Sequence, residues 1–160
     1  MKALIVYSSR TGNTKKLAEA LYDAVQFEKK LLSISDNPDP TEYGFVAVGF
    51  WLKDGEPDPA TQDFLPKIGK KEVLLFTTHC AATNSDHAKN ALKKAKELAS
   101  PSRICAVFSC LGQASEEIME QAGQEDPQPS WLADAPAAKG HPDEDDIRQF
   151  IHLFNNLNLP

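Results

Sequence analysis

Short apolar runs alternate with longer stretches of helical spacing along the chain, and this alternation predicts strands followed by helices. Continuous apolar runs with the length of strands buried on both faces stand at 3–6, 45–50, 73–77 and 104–108, and a weaker strand is predicted at 29–34. Helical spacing follows at 17–25, 85–98, 115–121 and 144–157, with a short helix from Ala60. Strands that alternate with helices predict right-handed crossovers and a parallel sheet covered on both faces.

Composition indicates one ordinary folded domain spanning residues 1–160, with 41% apolar and 25% charged residues. The proline-rich stretch 126–143 is predicted to be an irregular excursion before the last helix. No apolar leader precedes the first strand, and no run approaches the roughly 20 residues that span a bilayer. The three cysteines form no C-x-x-C pair, which is typical of reduced thiols. These features predict a cytoplasmic protein without membrane contact.

The net charge of −6 is distributed unevenly along the chain. Residues 1–110 carry 15 Lys and Arg against 13 Asp and Glu, whereas residues 111–160 carry 2 against 10. This acidic last third argues against nucleic acids and anionic membranes as partners and favours a surface that meets basic patches. Simple solubility is the alternative explanation.

A loop rich in hydroxyl side chains joins the first predicted strand to the first predicted helix. Such a loop exposes free backbone N–H groups at the positive end of a helix, which suits an anion. Gly12 allows a tight turn, while Ser9, Thr11 and Thr14 can donate O–H bonds to phosphate oxygens, with Arg10 as the nearby cation. The loop is neither a P-loop nor a dinucleotide fingerprint. The alternative is a turn that only caps the helix.

Ser9, Thr11, Gly12 and Thr14 match the [ST]-x-T-G-x-T loop of flavodoxins, and the chain resembles a short-chain member of that family. The resemblance implies that Ser9 to Thr14, including Asn13, wrap the 5′-phosphate of FMN. It also implies a flavodoxin-like three-layer sandwich of α/β class, with a five-stranded parallel sheet of order 2-1-3-4-5. In that arrangement a ligand lies at the carboxyl ends of the first and third strands.

The second predicted contact region is Phe50, Trp51, Leu52 and Lys53. Trp51 directly follows an apolar strand, and stacking on a flat ring would use its large surface. The family carries such an aromatic over the isoalloxazine, although Trp51 could instead cover the core. The resemblance also implies that a peptide of this loop changes orientation beside flavin N5, and Asp54-Gly55 is the candidate. Lys53 is either a solvated charge or a cation near the reduced ring.

The third predicted contact region follows the strand at 73–77 and would face the pyrimidine edge of the flavin. The family often places a tyrosine here over the second face of the ring, and this chain has none. His79 as a proton relay and Cys80 as a nucleophile are weaker alternatives to plain cofactor contact. The residues assigned to this region are Thr78, His79, Cys80, Ala81, Ala82 and Thr83.

The sequence thus predicts an electron-transfer protein that binds FMN non-covalently and shuttles electrons between a reductase and a redox enzyme. The contacts with these redox partners are expected to be electrostatic, and the protein is expected to be a monomer. No side chain needs to act as acid or base, so no catalytic residue is predicted. The four histidines lack metal-ligand spacing, so no metal site is predicted either.

Two rival functions remain open. The first is an FMN-dependent oxidoreductase of the same fold that reduces a small substrate of quinone or tetrapyrrole type, with the stretch 126–143 as a lid and Trp131 as an aromatic contact. The second is a partner-binding module that has lost the flavin. The hydroxyl-rich loop argues against the module, which would have no need of those donors.

Overall fold

The apolar runs of the sequence form the centre of a twisted parallel sheet in the computed structural model, which describes residues 1–82 and 85–160. The strands are β1 (Lys2–Tyr7), β2 (Glu28–Ser33), β3 (Phe45–Lys53), β4 (Glu56–Pro57), β5 (Glu72–His79) and β6 (Arg103–Leu111). The α-helices are α1 (Asn13–Ala24), α2 (Pro59–Phe64), α3 (Asp86–Leu98), α4 (Glu116–Gln124) and α5 (Glu144–Asn155).

The order of the parallel strands across the sheet is β2-β1-β3-β5-β6, and the two-residue β4 pairs antiparallel with the end of β3. With β4 set apart, this is the predicted flavodoxin-like order, and the α/β class is confirmed. The sequence did not predict β4, because two residues carry no readable periodicity.

Alternate residues of each central strand enter two separate cores. Ala3 and Ile5 of β1 pack with α1 and α5, whereas Leu4 and Val6 pack on the opposite face towards α2 and α3. This alternation follows from the period of two in a strand, and it places helices on both faces of the sheet. The three predicted layers are therefore present.

Aromatic side chains attach the last helix to the sheet. Phe150 lies 4.9 Å from Phe76 and 4.9 Å from Phe108, measured between ring centroids. Asp143 caps the start of α5 in a reciprocal capping box with Asp146. The amphipathic pattern predicted for this segment is thus fully used in packing.

Three strands continue past their apolar runs at the carboxyl edge of the sheet. β3 ends at Lys53 rather than at Phe50, so Trp51 lies within the strand and not in the following loop. β5 and β6 end two and three residues later than predicted, at His79 and Leu111. Trp51 is level with Thr78 in the sheet. Since β1 stops at Tyr7, level with Gly49, space remains beyond its end beside Trp51.

Candidate functional site

A cavity of about 520 Å³ lies at the carboxyl edge of the sheet, within the size range of small-molecule sites. After β1 the chain continues to α1 on one face of the sheet, and after β3 it continues to α2 on the other face. The cavity lies between these two connections, at the switch point of this topology. Nine of the predicted site residues line this cavity: Arg10, Thr11, Asn13, Trp51, Leu52, Lys53, Thr78, His79 and Cys80.

The loop after β1 presents backbone donors beside the cavity. Gly12 has a left-handed φ of 91° and is the N-cap of α1. The N–H groups of Gly12 and Lys15 donate to Ser9 Oγ at 3.1 and 3.3 Å. Within the described residues, the N–H groups of Thr11, Asn13 and Thr14 have no hydrogen-bond partner. They are the orphan donors expected at a helix start.

The Thr14 hydroxyl faces the sheet and not the cavity. Thr14 is 1% exposed, and its Oγ1 lies 3.0 Å from Thr78 Oγ1 and 3.4 Å from the carbonyl oxygen of Phe50. The Phe50 side chain is fully buried in the core on the α2 and α3 side. The Thr14 hydroxyl therefore links α1 to the sheet, the Phe50 side chain packs on the opposite face, and neither side chain lines the cavity.

Asn13 joins the first loop to the far end of the chain. Its Nδ2 donates to the carbonyl oxygen of Gln113 at 2.8 Å. The N–H of Gln113 in turn donates to the carbonyl oxygen of His141, and the N–H of Gly140 donates to Gln113 Oε1, both at 2.8 Å. Gln113 also lines the cavity, so the segment before α5 is fastened to its rim.

The Trp51 side chain forms one wall of the cavity, and the guanidinium of Arg10 lies over its ring. The distance from Arg10 Cζ to the ring centroid is 5.4 Å, within the range of a cation–π contact. Leu52 and Lys53 continue the wall from the end of β3. The sequence placed both Arg10 and Trp51 at the site but did not predict the contact between them.

The turn between β3 and β4 is a two-residue hairpin at Asp54 and Gly55. Both have positive φ, 52° and 77°, as a type I′ turn requires. Reversing their peptide would give a type II′ turn, whose first central position suits glycine and not aspartate. This argues against the expected low-cost change of peptide orientation. The ring of His87 in α3 lies against Gly55, and a Cβ there would be 3.2 Å from His87 Nδ1.

His79 is held as a neutral ring at the end of β5. It is 5% exposed, and its Nδ1 lies 3.0 Å from the carbonyl oxygen of Ala81. A carbonyl can only accept, so Nδ1 carries the proton. Burial lowers the pKa of His79, with a smaller effect from His87. A proton relay would need a ring that protonates easily, and this environment opposes that.

The environment of Cys80 disfavours its thiolate form. Its Sγ donates to the carbonyl oxygen of Gly112 at 3.1 Å, and burial raises the pKa of the thiol. Ala81 is buried, and the N–H of Ala82 donates to Asp134 Oδ2 at 3.4 Å. The predicted contact Thr83 lies outside the described residues. No side chain of Ala81 or Ala82 lines the cavity.

Several cavity residues were not among the predicted cofactor contacts, although Trp131 was considered for the rival oxidoreductase and Asp54 for a change of peptide orientation. Most of them come from α4 and the loops beside it, including Trp131 of the 3₁₀ turn Ser130–Ala133, whereas Asp54 lies in the hairpin and His87 in α3. The parallel topology alone would have pointed to the residues after β6, since all strand ends meet at one edge. The additional lining residues are Asp54, His87, Gly112, Gln113, Ala114, Ile118, Gln121, Ala122, Glu125, Pro129, Ser130 and Trp131.

Asp58 is a buried carboxylate behind the first loop that the sequence reasoning also missed. It is 1% exposed and is the N-cap of α2. Its Oδ1 accepts from Ser8 Oγ at 2.8 Å and from the N–H of Thr61 at 3.2 Å, and its Oδ2 accepts from Thr61 Oγ1 at 2.8 Å. Asp58 therefore ties the start of the loop after β1 to the segment that follows the hairpin.

One cluster in the described part of the chain has metal-ligand types within reach of one another: His141, Asp143 and Asp146. His141 Nδ1 lies 2.6 Å from Asp146 Oδ2, and both carboxylates accept bonds of the α5 capping box. The cluster is accounted for by helix capping. As for membranes, none of the helices in the described part of the chain has the length and apolar character needed to cross one.

The family model described as flavodoxin domain matches residues 4–155 of the chain. The chain is 28% identical over 171 residues to the flavodoxin-like domain-containing protein BilS of Clostridioides difficile (strain CD3), covering 99% of this chain and 97% of that protein.

Among solved structures, a flavodoxin of Streptococcus pneumoniae TIGR4 is similar with a TM-score of 0.63 at 14% identity, over 97% of this chain and 96% of that one. A flavoprotein from Lactobacillus acidophilus NCFM in complex with FMN has a TM-score of 0.53 at 20% identity, over 68% and 92%. An azoreductase from Bacillus anthracis str. Sterne has a TM-score of 0.53 at 11% identity, over 86% and 98%. These likenesses show a shared fold.

Proposed function

Because the chain belongs to the flavodoxin domain family, we propose that it is an electron carrier that binds FMN non-covalently and passes electrons from a reductase to a redox enzyme. The observation that carries the proposal is the cavity at the carboxyl edge of the sheet, with orphan backbone donors at one end and Trp51 in its wall. The same cavity fits both parts of FMN, an anionic phosphate and a flat ring.

The phosphate end fits through neutral donors and one cation. Thr11 and Asn13 line the cavity at the start of α1, where the helix dipole favours an anion. Ser9 Oγ accepts two backbone bonds, so its own proton is available to a ligand. Arg10, which also lines the cavity, supplies a positive charge in the same loop. We assign the phosphate to this loop.

The ring end fits through Trp51 and the strand ends opposite it. Stacking of a flavin on the indole would add about 0.5–1.5 kcal/mol beyond burial. Thr78 and Cys80 line the cavity at the end of β5 and are assigned to the pyrimidine edge. Bound FMN would supply the redox chemistry, while these residues would orient the ring and keep water from one face. No acid or base is assigned.

Partner binding is proposed to be electrostatic. Residues 111–160 carry 10 acidic against 2 basic side chains, and α4, which lines the cavity, belongs to this segment. An acidic rim would steer basic partner proteins towards the cavity. The protein is proposed to act as a cytoplasmic monomer that meets its reductase and its acceptor in turn.

The binding of FMN is tested by titrating the purified protein with FMN and following the flavin absorbance. We expect micromolar or tighter binding, and a loss of affinity of about tenfold for Trp51→Leu. Tyr22→Leu is the matched control, since Tyr22 also carries a cation, Lys29, 4.4 Å from its ring but lies outside the cavity. Failure of the wild-type protein to bind FMN would contradict the proposal and favour a partner-binding module.

A second candidate function is an FMN-dependent oxidoreductase that acts on a small flat substrate of quinone or tetrapyrrole type. The specific observation in its favour is that Trp131, Ile118 and Ala122 add a second, apolar wall to the same cavity. Steady-state oxidation of NADPH with a quinone acceptor separates the two. A carrier is nearly inert until its reductase is added, whereas the oxidoreductase turns over alone and slows in Trp131→Ala.

A further inference from the structure

The guanidinium of Arg10 covers a surface that a flat ligand would need. Its Cζ lies 5.4 Å from the centroid of the Trp51 ring, and both residues line the cavity. A ring that stacks on this face of Trp51 must first displace the guanidinium. Binding of a flavin therefore breaks one favourable contact of the free protein.

Within residues 1–82 and 85–160, Arg10 has no carboxylate partner that would hold it away from the cavity. None of the ion pairs found in the described part of the chain includes it. Asp54 and Glu125 also line the cavity, but neither lies within ion-pair distance of the guanidinium. The charge of Arg10 is thus free to pair with an anion that enters the cavity.

The backbone of Arg10 stands among the donors assigned to the phosphate. It lies between Ser9 and Thr11, two residues before the left-handed Gly12 that is the N-cap of α1. A flexible side chain rooted there can reach either the indole ring or an oxyanion held on the loop. The planar fork of a guanidinium suits a phosphate well, with two parallel N–H donors.

We propose that Arg10 is a specificity-determining residue that exchanges the Trp51 ring for the ligand phosphate, and so selects FMN over the unphosphorylated flavin, riboflavin. FMN displaces the guanidinium and offers it a phosphate in return. Riboflavin displaces it and offers nothing. This inference rests on the proposed FMN function, because it concerns how the same cavity chooses among flavins.

The exchange predicts effects of opposite sign for the two flavins when Arg10 is removed. Loss of the cation–π contact in the free protein should tighten riboflavin binding by about two- to fivefold. Loss of the charged bond to phosphate outweighs that gain for FMN, so FMN binding should weaken by at least about threefold. If Arg10 only added positive charge to the cavity, removing it would not tighten riboflavin binding.

The test measures the dissociation constants of FMN and riboflavin by calorimetry for the wild type, Arg10→Ala, Trp51→Leu and the double variant. The gain for riboflavin should disappear in the Trp51→Leu background, since no ring is left to uncover. Arg148→Ala, on α5 and outside the cavity, controls for net charge. Riboflavin binding that is unchanged or weaker in Arg10→Ala would overturn the inference. In that case, FMN binding to the wild-type protein would still support the proposed function.

Indole N–H resonances provide a second readout that does not depend on the Trp51→Leu variant. The chain has two tryptophans, so the nitrogen–proton spectrum shows two indole signals. In the free protein, Arg10→Ala should shift the Trp51 signal and leave that of Trp131 in place. An unchanged Trp51 signal would contradict the contact between Arg10 and the Trp51 ring. If neither flavin binds the wild type at millimolar concentration, the proposed function itself fails.

Discussion

At the scale of single residues, His79 makes the folded state sensitive to acid. Burial lowers its pKa in the fold, so the unfolded chain takes up the proton more readily. The stability that results is present above the unfolded value of about 6.5 and is lost as the pH falls through the folded value. We expect the unfolding free energy to drop as the pH falls below about 6.5.

His79→Asn is the variant that tests this dependence, because an amide can still donate to the carbonyl of Ala81 but does not titrate. Urea unfolding across the pH range should show a shallower slope for the variant than for the wild type. An equal slope would assign the acid sensitivity to other groups. His87 is the neighbouring titratable residue, and it contributes to the lowered pKa.

Asp58 is expected to contribute strongly to stability. It accepts three bonds while 1% exposed, and Asp58→Ala would remove the cap of α2 and leave Ser8 Oγ without its partner. A loss of about 2 kcal/mol or more in unfolding free energy should result. Asp39→Ala is the matched control, since Asp39 also accepts two bonds from one threonine but is exposed. Its unfolding midpoint should change far less.

Sequence reasoning could place residues at the cavity where their role is local, and it missed contacts between residues that are distant in the chain. Arg10, Thr11 and Asn13 could be placed at the cavity because a loop before a helix start has the same chemistry in any fold. The bond from Ser8 to Asp58 spans 50 positions, and the bond from Asn13 to Gln113 spans 100. No periodicity links such pairs, so they were found only once the chain was folded.

At the scale of elements, the β3–β4 hairpin depends on a backbone shape that glycine provides. Gly55→Ala would place a Cβ at a φ of 77° and 3.2 Å from His87 Nδ1. We expect a loss of about 1–2 kcal/mol in urea unfolding. Gly123→Ala is the control: it lies in α4 with nothing within 4 Å of an added Cβ, so its stability should rise slightly. If both substitutions changed the unfolding free energy equally, alanine would not be strained at position 55 of the hairpin.

The attachment of α5 is expected to rest on Phe150. It is fully buried and packs against the rings of Phe76 and Phe108. Phe150→Ala should cost about 3–5 kcal/mol of unfolding free energy, because the cavity left between sheet and helix cannot close. Gln149→Ala on the exposed side of the same helix should cost little. Thermal melts of the two variants make the comparison.

The centres of the elements were predictable, but the carboxyl ends of the strands were not. The continuous apolar runs ended at Phe50 and Thr77, where helices cease to cover both faces, whereas the backbone pairing continues to Lys53 and His79. The five residues beyond the runs all line the cavity: Trp51, Leu52, Lys53, Thr78 and His79. A pattern that detects burial therefore misses the strand positions that form the site.

At the scale of the whole molecule, charge separation should make electron transfer depend on salt. α4 lines the cavity and carries Glu117 and Glu120 on its exposed side. The rate of reduction of a basic acceptor, cytochrome c, should fall as ionic strength rises, since screening shortens the reach of the acidic rim. Glu117→Gln with Glu120→Gln should lower the rate at low salt and flatten its salt dependence.

A matched pair of substitutions away from the rim separates steering from net charge. Asp23→Asn with Glu42→Gln removes the same two charges from exposed positions in the first third of the chain. These variants should keep the wild-type rate. If both pairs slow the reaction equally, the molecule acts through its overall charge and the acidic rim has no directing role.

The two tryptophans of the chain, Trp51 and Trp131, both line the same cavity. All indole emission of the protein therefore originates at the walls of one binding site, without background from elsewhere in the molecule. Ligand binding in the cavity should therefore change the intrinsic fluorescence of the protein. A library of flat compounds could be screened against it in multiwell plates by intrinsic fluorescence, with no dye attached and no reaction to couple.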